Sequence, residues 1–478
     1  MDSGETMNEP VPASLFDRTL ANLRSAWRDI AQRTLATPGI DSIKPDLPDE
    51  DIQRLRRHIA ECLAHRGGEV SARARAAELG RCYLNLSAVG RRRFLELLAR
   101  DYAVDRGEVG VAIRAYEDAE DAAGLTAAET KLRDSLVPPR LRLLRQLTTL
   151  PEGFKFLVDL RGELLKHLPE DPSLAGLDRD LQSLFASWFD IGLLTLERIT
   201  WHSPALLLER LIAYEAVHEI RSWDDLKNRL DSDRRCYAFF HPGMPDEPLI
   251  FVEVALTTGM AGNIQELLDE HAPHQDPQHS DSAIFYSISN TQKGLRGISF
   301  GNFLIKQVID DLARDLPQVK TSATLSPIPG FRAWLDGKLA DAEPNLLSRA
   351  EQAKLRAAAP DHGARDGLRS LLEQPDWHAD PALAAALEAP LKRLAARYLV
   401  LEKTNGGPLD PVARFHLANG ARVERINWLA DTSPKGLQQS AGLMVNYLYR
   451  LADIEANHEA YAESRIATSS AVKALLKN

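Results

Sequence analysis

Apolar residues in the first part of the chain recur at three- and four-residue steps. Phe94-Leu95-x-Leu97-Leu98 and Leu141-x-Leu143-Leu144-x-x-Leu147 each place such a stripe on one face of a helix. The same texture, rich in Ala, Leu, Arg and Glu, runs from about 15 to 187, and Pro138-Pro139 separates helices within it. No fixed-period repeat is present, so the pattern predicts a compact helical bundle serving packing or assembly. Residues 1–14, with Pro10 and Pro12 and no periodicity, read as a loose tail.

After Trp188 the period changes. Ser203-Pro204 predicts a helix start with Ser as N-cap and Pro in the first turn. Ser222-x-x-Asp225 has the spacing of a capping box. Stretches 236–240, 249–256 and 284–289 read as strands, 303–316 as an amphipathic helix, and 320–325 as a short strand ended by Ser326-Pro327-Ile328-Pro329-Gly330. That order predicts a mixed sheet, and 336 to about 400 returns to helix as an insertion. Asn419-Gly420 predicts a tight turn between extended pieces 413–418 and 421–428. The fold class is therefore α+β: a helical domain over 15–187, then a mixed domain over 188–478.

Composition narrows the partners. The chain has 478 residues, enough for two or three domains. Its net charge is −10 and no basic stripe is evident, so nucleic acid is not an expected partner. The run Arg91-Arg92-Arg93 reads as a solvated helix face. Cys62, Cys82 and Cys236 are too few and too scattered for a disulfide framework, which points to a reducing compartment. The acidic start is no signal peptide, and the best apolar stretch, 249–256, is interrupted by Glu253. The expectation is a cytoplasmic protein with no membrane contact. His271, His274 and His279 sit in a loop rich in Pro, Asp and Gln with no Cys nearby, so no metal site is expected there.

The most informative stretch is a strand leading through Gln292-Lys-Gly294-Leu-Arg296-Gly297-Ile298-Ser299-Phe300-Gly301-Asn302 into a helix. Free N–H groups at a helix N-terminus can hold a pyrophosphate, and glycines let it approach. Arg296-x-x-Ser299-x-Gly301 resembles the Arg/Gln-x-x-Gly-x-Gly/Ala loop of the GNAT acyl-CoA-binding fold, with Ser299 at the position of the first glycine. In that fold the strands flanking this loop and helix splay apart around the pantetheine arm. Here they would be 284–289 and 320–325.

A wider resemblance covers the second half. Thr200-Trp-His-Ser-Pro204, Ile284-Phe-Tyr-Ser-Ile-Ser289, Leu325-Ser-Pro-Ile-Pro-Gly-Phe331, Phe415-His-Leu-x-Asn-Gly-Ala421 and Ile426-Asn-Trp428 resemble, in order, blocks of the malonyl-CoA decarboxylase family. That resemblance implies an all-helical domain joined to a GNAT-like catalytic domain. It implies release of carbon dioxide from malonyl-CoA without a cofactor, and a homo-oligomer, a tetramer, built through the helical domain. It assigns the catalytic serine to Ser326 and the catalytic histidine to His416, and substrate binding to both and to Arg296, Gly297, Ile298, Ser299, Phe300, Gly301 and Asn302. Asn446 and Tyr447 are candidate supporting donors by their place in the order.

These residue types suit the chemistry. Decarboxylation of a malonyl thioester leaves an enolate for which the thioester is its own electron sink. The protein must hold the breaking C–C bond perpendicular to the thioester plane and supply one proton to carbon. Histidine, whose charge changes near neutrality, suits proton delivery, and a serine hydroxyl can orient the carboxylate or relay a proton. The other readings are a GNAT-type N-acyltransferase, which needs an acceptor site, and a non-catalytic acyl-CoA sensor.

Overall fold

The computed structural model describes residues 23–30, 40, 42–64, 68–298, 304–341, 343–361, 363–404 and 406–477. The expected tail over 1–14 lies outside them. The described residues fall into two compact units: those up to Phe189 together with 292–298, and the remainder.

The first unit is helical. Ser87 caps Ala88–Asp101 by accepting from Gly90 N, and that helix buries Phe94, Leu95, Leu97 and Leu98, the stripe read from sequence. Pro138 opens Pro139–Leu147, which buries Leu143, Leu144 and Leu147. Trp27, Tyr83, Phe94 and Phe156 meet edge to face in the core. The arginine run is more than a solvated face. Arg91 lies over the Tyr83 ring, Arg92 pairs with Glu96 and Arg93 with Asp49.

Segment 292–298 belongs to this unit because Arg161, on helix Gly153–His167, clamps it. The buried guanidinium donates to the carbonyls of Gly294 (2.6 Å) and Arg296 (2.9 Å) and pairs with Asp178 at 2.8 Å. The approach is so close that a Cβ at Gly294 would collide with the Val158 carbonyl.

The second unit is built on an eight-stranded sheet of order β1-β2-β3-β4-β5-β10-β6, with β9 also on β10. The strands are β1 (Thr195–Ile199), β2 (Arg234–Phe240), β3 (Ile250–Thr257), β4 (Ser282–Asn290), β5 (Thr321–Thr324), β6 (Ser326–Pro327), β9 (Arg422–Asn427) and β10 (Met444–Tyr449). A separate ribbon pairs β7 (Lys403–Thr404) with β8 (Gly407–Pro408). Every pairing in the large sheet is antiparallel except β4 with β5, which helix Leu304–Asp315 connects. The chain is thus α+β with a GNAT-like mixed sheet, as the loop resemblance implied.

Helices Ala205–Tyr214 and Trp223–Arg229 cover one part of the sheet through Leu208, Leu211 and Leu226 on Cys236, Ala238 and Phe251. Ile264 and Leu267 cover another through Ile284, Tyr286 and Met444. Helices Phe331–Ala340, Arg349–Ala358, Ala364–Glu373 and Pro381–Val400 lie where the insertion was read.

Three local expectations are corrected. Ser203 does not cap the following helix: Pro204 is its N-cap, and the Ser203 hydroxyl accepts from Thr200 N at 3.1 Å. At Ser222 half of the capping box forms. Ser222 accepts from Asp225 N, but the Asp225 carboxylate takes the N–H of Arg221 rather than that of Ser222. Residues 413–418 are not extended but helical, within Pro411–Ala418. Asp410 is the N-cap, accepting from Ala413 N at 2.8 Å, and Pro411 starts the first turn. Gly420, at φ +80°, then ends the helix, with Gly420 N on Leu417 O and Ala421 N on His416 O. A Cβ there would strike the Ile454 carbonyl. Asn419-Gly420 is therefore a helix stop rather than a hairpin turn.

Candidate active site

β4 and β5 pair in register only from Ser282 with Thr321 to Phe285 with Thr324. The next residue, Leu325, still reaches Phe285 O at 3.0 Å. The chain then leaves β4, because Ser326 and Pro327 pair instead with Val445 and Met444 of β10. β4 continues to Asn290. The strands therefore splay, and a cavity of about 210 Å³ opens between them. Phe285, Tyr286, Ile288 and Asn290 line it from β4, Ser326 and Pro327 from the other side, and Val412, Phe415 and His416 from helix Pro411–Ala418.

Ser326 and His416, 90 residues apart in sequence, meet here: Ser326 Oγ lies 3.1 Å from His416 Nε2. Ser326 also donates to Thr324 Oγ1 at 2.9 Å, and Thr324 Oγ1 accepts from Tyr447 N at 3.0 Å. On the other side of the ring, His416 Nδ1 lies 2.8 Å from the Tyr449 hydroxyl. Both residues of the pair are buried.

The electrostatics fix the direction of this chain of bonds. Burial pushes the His416 imidazole down to about 3, so it is neutral near pH 7. Burial also raises the Tyr449 phenol well above its usual range, so it keeps its proton. A self-consistent arrangement follows: Tyr449 donates to Nδ1, Nε2–H points at Ser326 Oγ, and Ser326 donates to Thr324. The sequence reading relies on a histidine titrating near neutrality; desolvation by burial removes that property.

The remaining candidates separate. Tyr447 is not a hydrogen-bond donor to the pair. Its ring stacks on the imidazole at 4.5 Å and 24°, and its hydroxyl has no partner among the described residues. Sequence reasoning missed Tyr449, although the two-residue strand period puts it on the same face as Tyr447. Asn446 faces the other way. It donates to Thr324 O (2.6 Å) and Ala261 O (3.0 Å) and accepts from Arg425 and Asn427. It thus fixes the strand that carries Thr324.

Arg296, Gly297 and Ile298 belong to the helical unit, where Arg161 holds the Arg296 carbonyl. Ser299, Phe300, Gly301 and Asn302 lie outside the described residues. Among the described residues no three His, Cys, Asp or Glu side chains converge as metal ligands. In the loop that carries His271, His274 and His279, His279 lies 3.6 Å from Asp276, and His274 lies 3.5 Å from Asp231. No helix is long and apolar enough to cross a membrane among the described residues.

The chain matches two family models, malonyl-CoA decarboxylase C-terminal domain over residues 192–478 and malonyl-CoA decarboxylase N-terminal domain over 102–189. It is 41% identical over 406 residues to a mitochondrial malonyl-CoA decarboxylase of Anser anser anser, covering 82% of this chain and 80% of that one. It is 39% identical over 421 residues to the Mus musculus protein of that name, covering 85% and 82%. Its structure is similar to that of malonyl-CoA decarboxylase from Rhodopseudomonas palustris, with TM-score 0.81 and 44% identity over 88% of this chain and 99% of the other. The corresponding Agrobacterium vitis structure gives 0.79 and 44%, again over 88% and 99%.

Proposed function

The chain belongs to the malonyl-CoA decarboxylase family and is a carboxy-lyase, and from that premise we propose that it converts malonyl-CoA to acetyl-CoA and carbon dioxide at Ser326 and His416. The observation that carries this reading is the 3.1 Å Ser326–His416 contact inside the opening between β4 and β5.

The mechanism follows from the neutral, buried imidazole. A malonyl carboxylate entering beside His416 stabilises the imidazolium that burial alone disfavours, so the proton arrives with the substrate. The apolar walls, Phe285, Ile288, Val412 and Phe415, solvate a localised carboxylate poorly. Cleavage of the C–C bond spreads that charge over the thioester enolate. Ser326 then gives its hydroxyl proton to the enolate carbon while His416 Nε2 returns one to Oγ. A C–H bond forms, an Nε2–H bond breaks, and the ring is left neutral as the Nδ1–H tautomer with the Tyr449 oxygen accepting from it; loss of the Nδ1 proton and uptake of one at Nε2 restore the starting tautomer. One solvent proton is consumed per turnover. Tyr449 acts through His416 as a positioning residue, holding the tautomer that faces Ser326.

Substrate binding rests on the loop. Arg296, Gly297 and Ile298, with Ser299, Phe300, Gly301 and Asn302, are assigned to the CoA phosphates. The loop's resemblance to the GNAT pattern and the helix Leu304–Asp315 that follows support this. Free CoA should then compete with malonyl-CoA. A homotetramer assembled through the helical domain is part of the same reading. It is supported by exposed Val111, Ile113, Tyr116, Leu125, Leu136 and Val137 on the helices of 106–135 and the turn after them, and light scattering tests it. The three cysteines are few and buried, which fits a reducing compartment; we assign the cytoplasm, and cell fractionation tests that.

The deciding experiment incubates the purified protein with malonyl-CoA alone. Carbon dioxide and acetyl-CoA should appear in equal amounts. An acyltransferase would need an added amine, and a sensor would release neither product.

A further inference from the structure

Val217 lines the reaction cavity, and it also lines a second cavity of about 900 Å³ bordered by Glu215, His218, Gln265, Asp431 and Lys435. The other walls of the reaction cavity are set on regular structure. Phe285 and Tyr286 lie in β4 with 1% and 2% exposure, and Val412 and Phe415 ride on the helix capped by Asp410. Val217 instead lies on an irregular strap, 215–218, between helix Ala205–Tyr214 and helix Trp223–Arg229.

That strap is pinned by side chains rather than by a sheet or helix. The Glu215 carboxylate accepts from the N–H groups of Val217 (2.8 Å) and His218 (2.7 Å), and from the hydroxyls of Ser287 and Ser289 on β4. Lys435 Nζ donates to the carbonyls of Ala216 (3.0 Å) and Val217 (2.8 Å). Arg229 holds the His218 carbonyl at 2.9 Å. The backbone beside the cavity is therefore fixed in place, yet its far side is open space.

We propose that Val217 on this pinned strap is the wall that sets acyl size, admitting an unsubstituted malonyl thioester and excluding 2-alkylmalonyl thioesters. The proposal rests on the decarboxylase reading of the Ser326–His416 cavity. The physical point is what truncation does at each wall. Shortening Phe285 or Tyr286 leaves a void inside a packed core, which neighbours partly fill. Shortening Val217 joins the site to the second cavity, so an extra alkyl group on the malonyl carbon gains room without displacing anything.

The test compares kcat/KM for 2-methylmalonyl-CoA and malonyl-CoA in wild type, Val217→Gly, Val217→Ala, Val217→Ile and Lys435→Met. One methyl group in a fitted apolar pocket is worth about tenfold or more in discrimination. The 2-methylmalonyl to malonyl ratio should therefore rise by roughly tenfold or more in Val217→Gly and less in Val217→Ala. It should fall in Val217→Ile, and rise modestly in Lys435→Met, where the strap is loosened. A ratio within about twofold of wild type across the Val217 variants that retain the wild-type melting temperature overturns the proposal. Binding of butyryl-CoA against acetyl-CoA, measured by calorimetry on the same variants, needs no catalysis. If wild type releases no carbon dioxide from malonyl-CoA, the decarboxylase reading fails. The binding ratio then judges the wall separately: a rise in Val217→Gly supports it and an unchanged ratio overturns it.

Discussion

Tyr449 places its hydroxyl 2.8 Å from Nδ1 of His416, on the side of the ring away from Ser326. Nothing else among the described hydrogen bonds holds that nitrogen. The imidazole thus has one edge for reaction and one for positioning.

Tyr449→Phe should therefore act through the tautomer. With Nδ1 unpaired, the ring can protonate there and turn an acceptor toward Ser326. We expect kcat to fall roughly 10–100-fold with little change in KM, a smaller loss than removal of the acid itself. Nitrogen NMR of labelled His416 should show the Nε2–H tautomer in wild type and a mixture in the variant. A kcat loss with an unaltered tautomer would argue for simple disruption instead.

His416→Asn should lower kcat by about 10²–10⁴-fold, the usual worth of general acid catalysis, with a smaller effect on KM. Ser326→Ala should fall in a similar range, while acetyl-CoA, which lacks the carboxylate, binds about as before. Because the proton passes through both groups, the double variant should be little worse than the poorer single one. Multiplicative losses would show that the two act independently.

Much of this site was legible from local pattern, and the rest depended on tertiary placement. Ser326 and His416 stood in recognisable blocks, and the strand–loop–helix–strand order marked the splay. The Pro411–Ala418 helix was missed although both of its signals were present, Asp410-Pro411 at the start and Gly420 after the end; an Asn-Gly pair reads equally well as a hairpin. Tyr447 is a candidate only by its place in the order, and Tyr449 goes unread because the strand period gives a shared face but not which hydroxyl reaches a ring nitrogen. The packing of 292–298 against the helical unit was invisible, because it depends on Arg161, 133 residues from Gly294, burying a guanidinium.

Asp410 offers a test of helix placement separate from the chemistry. It is fully buried, and its carboxylate caps the helix that carries His416. Asp410→Ala should destabilise the protein by about 1–2 kcal/mol and lower kcat by letting the first turn fray. Asp410→Asn keeps a capping oxygen and should recover most of both. Denaturant midpoints and kcat measured on the two variants check this. Equal losses in Ala and Asn would mean that the charge, rather than the cap, is what counts.

The pH dependence of stability should carry the signature of His416. Its folded value, about 3, lies below the ordinary 6.5, so the folded state binds fewer protons than the unfolded state between those limits. Stability from this group is full above pH 6.5 and is lost as pH falls toward 3. Each pH unit in that window costs about 1.4 kcal/mol, so by pH 5 the loss reaches roughly 2 kcal/mol. His218, pushed down to about 4 by burial, adds a loss of the same sign. The informative measurement is therefore the difference between wild type and His416→Gln, each unfolded by denaturant at pH 7.5 and pH 5. The glutamine variant should lose about 2 kcal/mol less than wild type on acidification. Saturating acetyl-CoA, neutral at its acyl end, should leave that difference in place. An anionic malonate thioester analogue that cannot decarboxylate should shrink it, because its carboxylate raises the His416 value within the complex. Identical acid losses in wild type and His416→Gln would mean that the folded imidazole titrates as it does in the unfolded chain, and burial would then not be what keeps it neutral before the substrate enters.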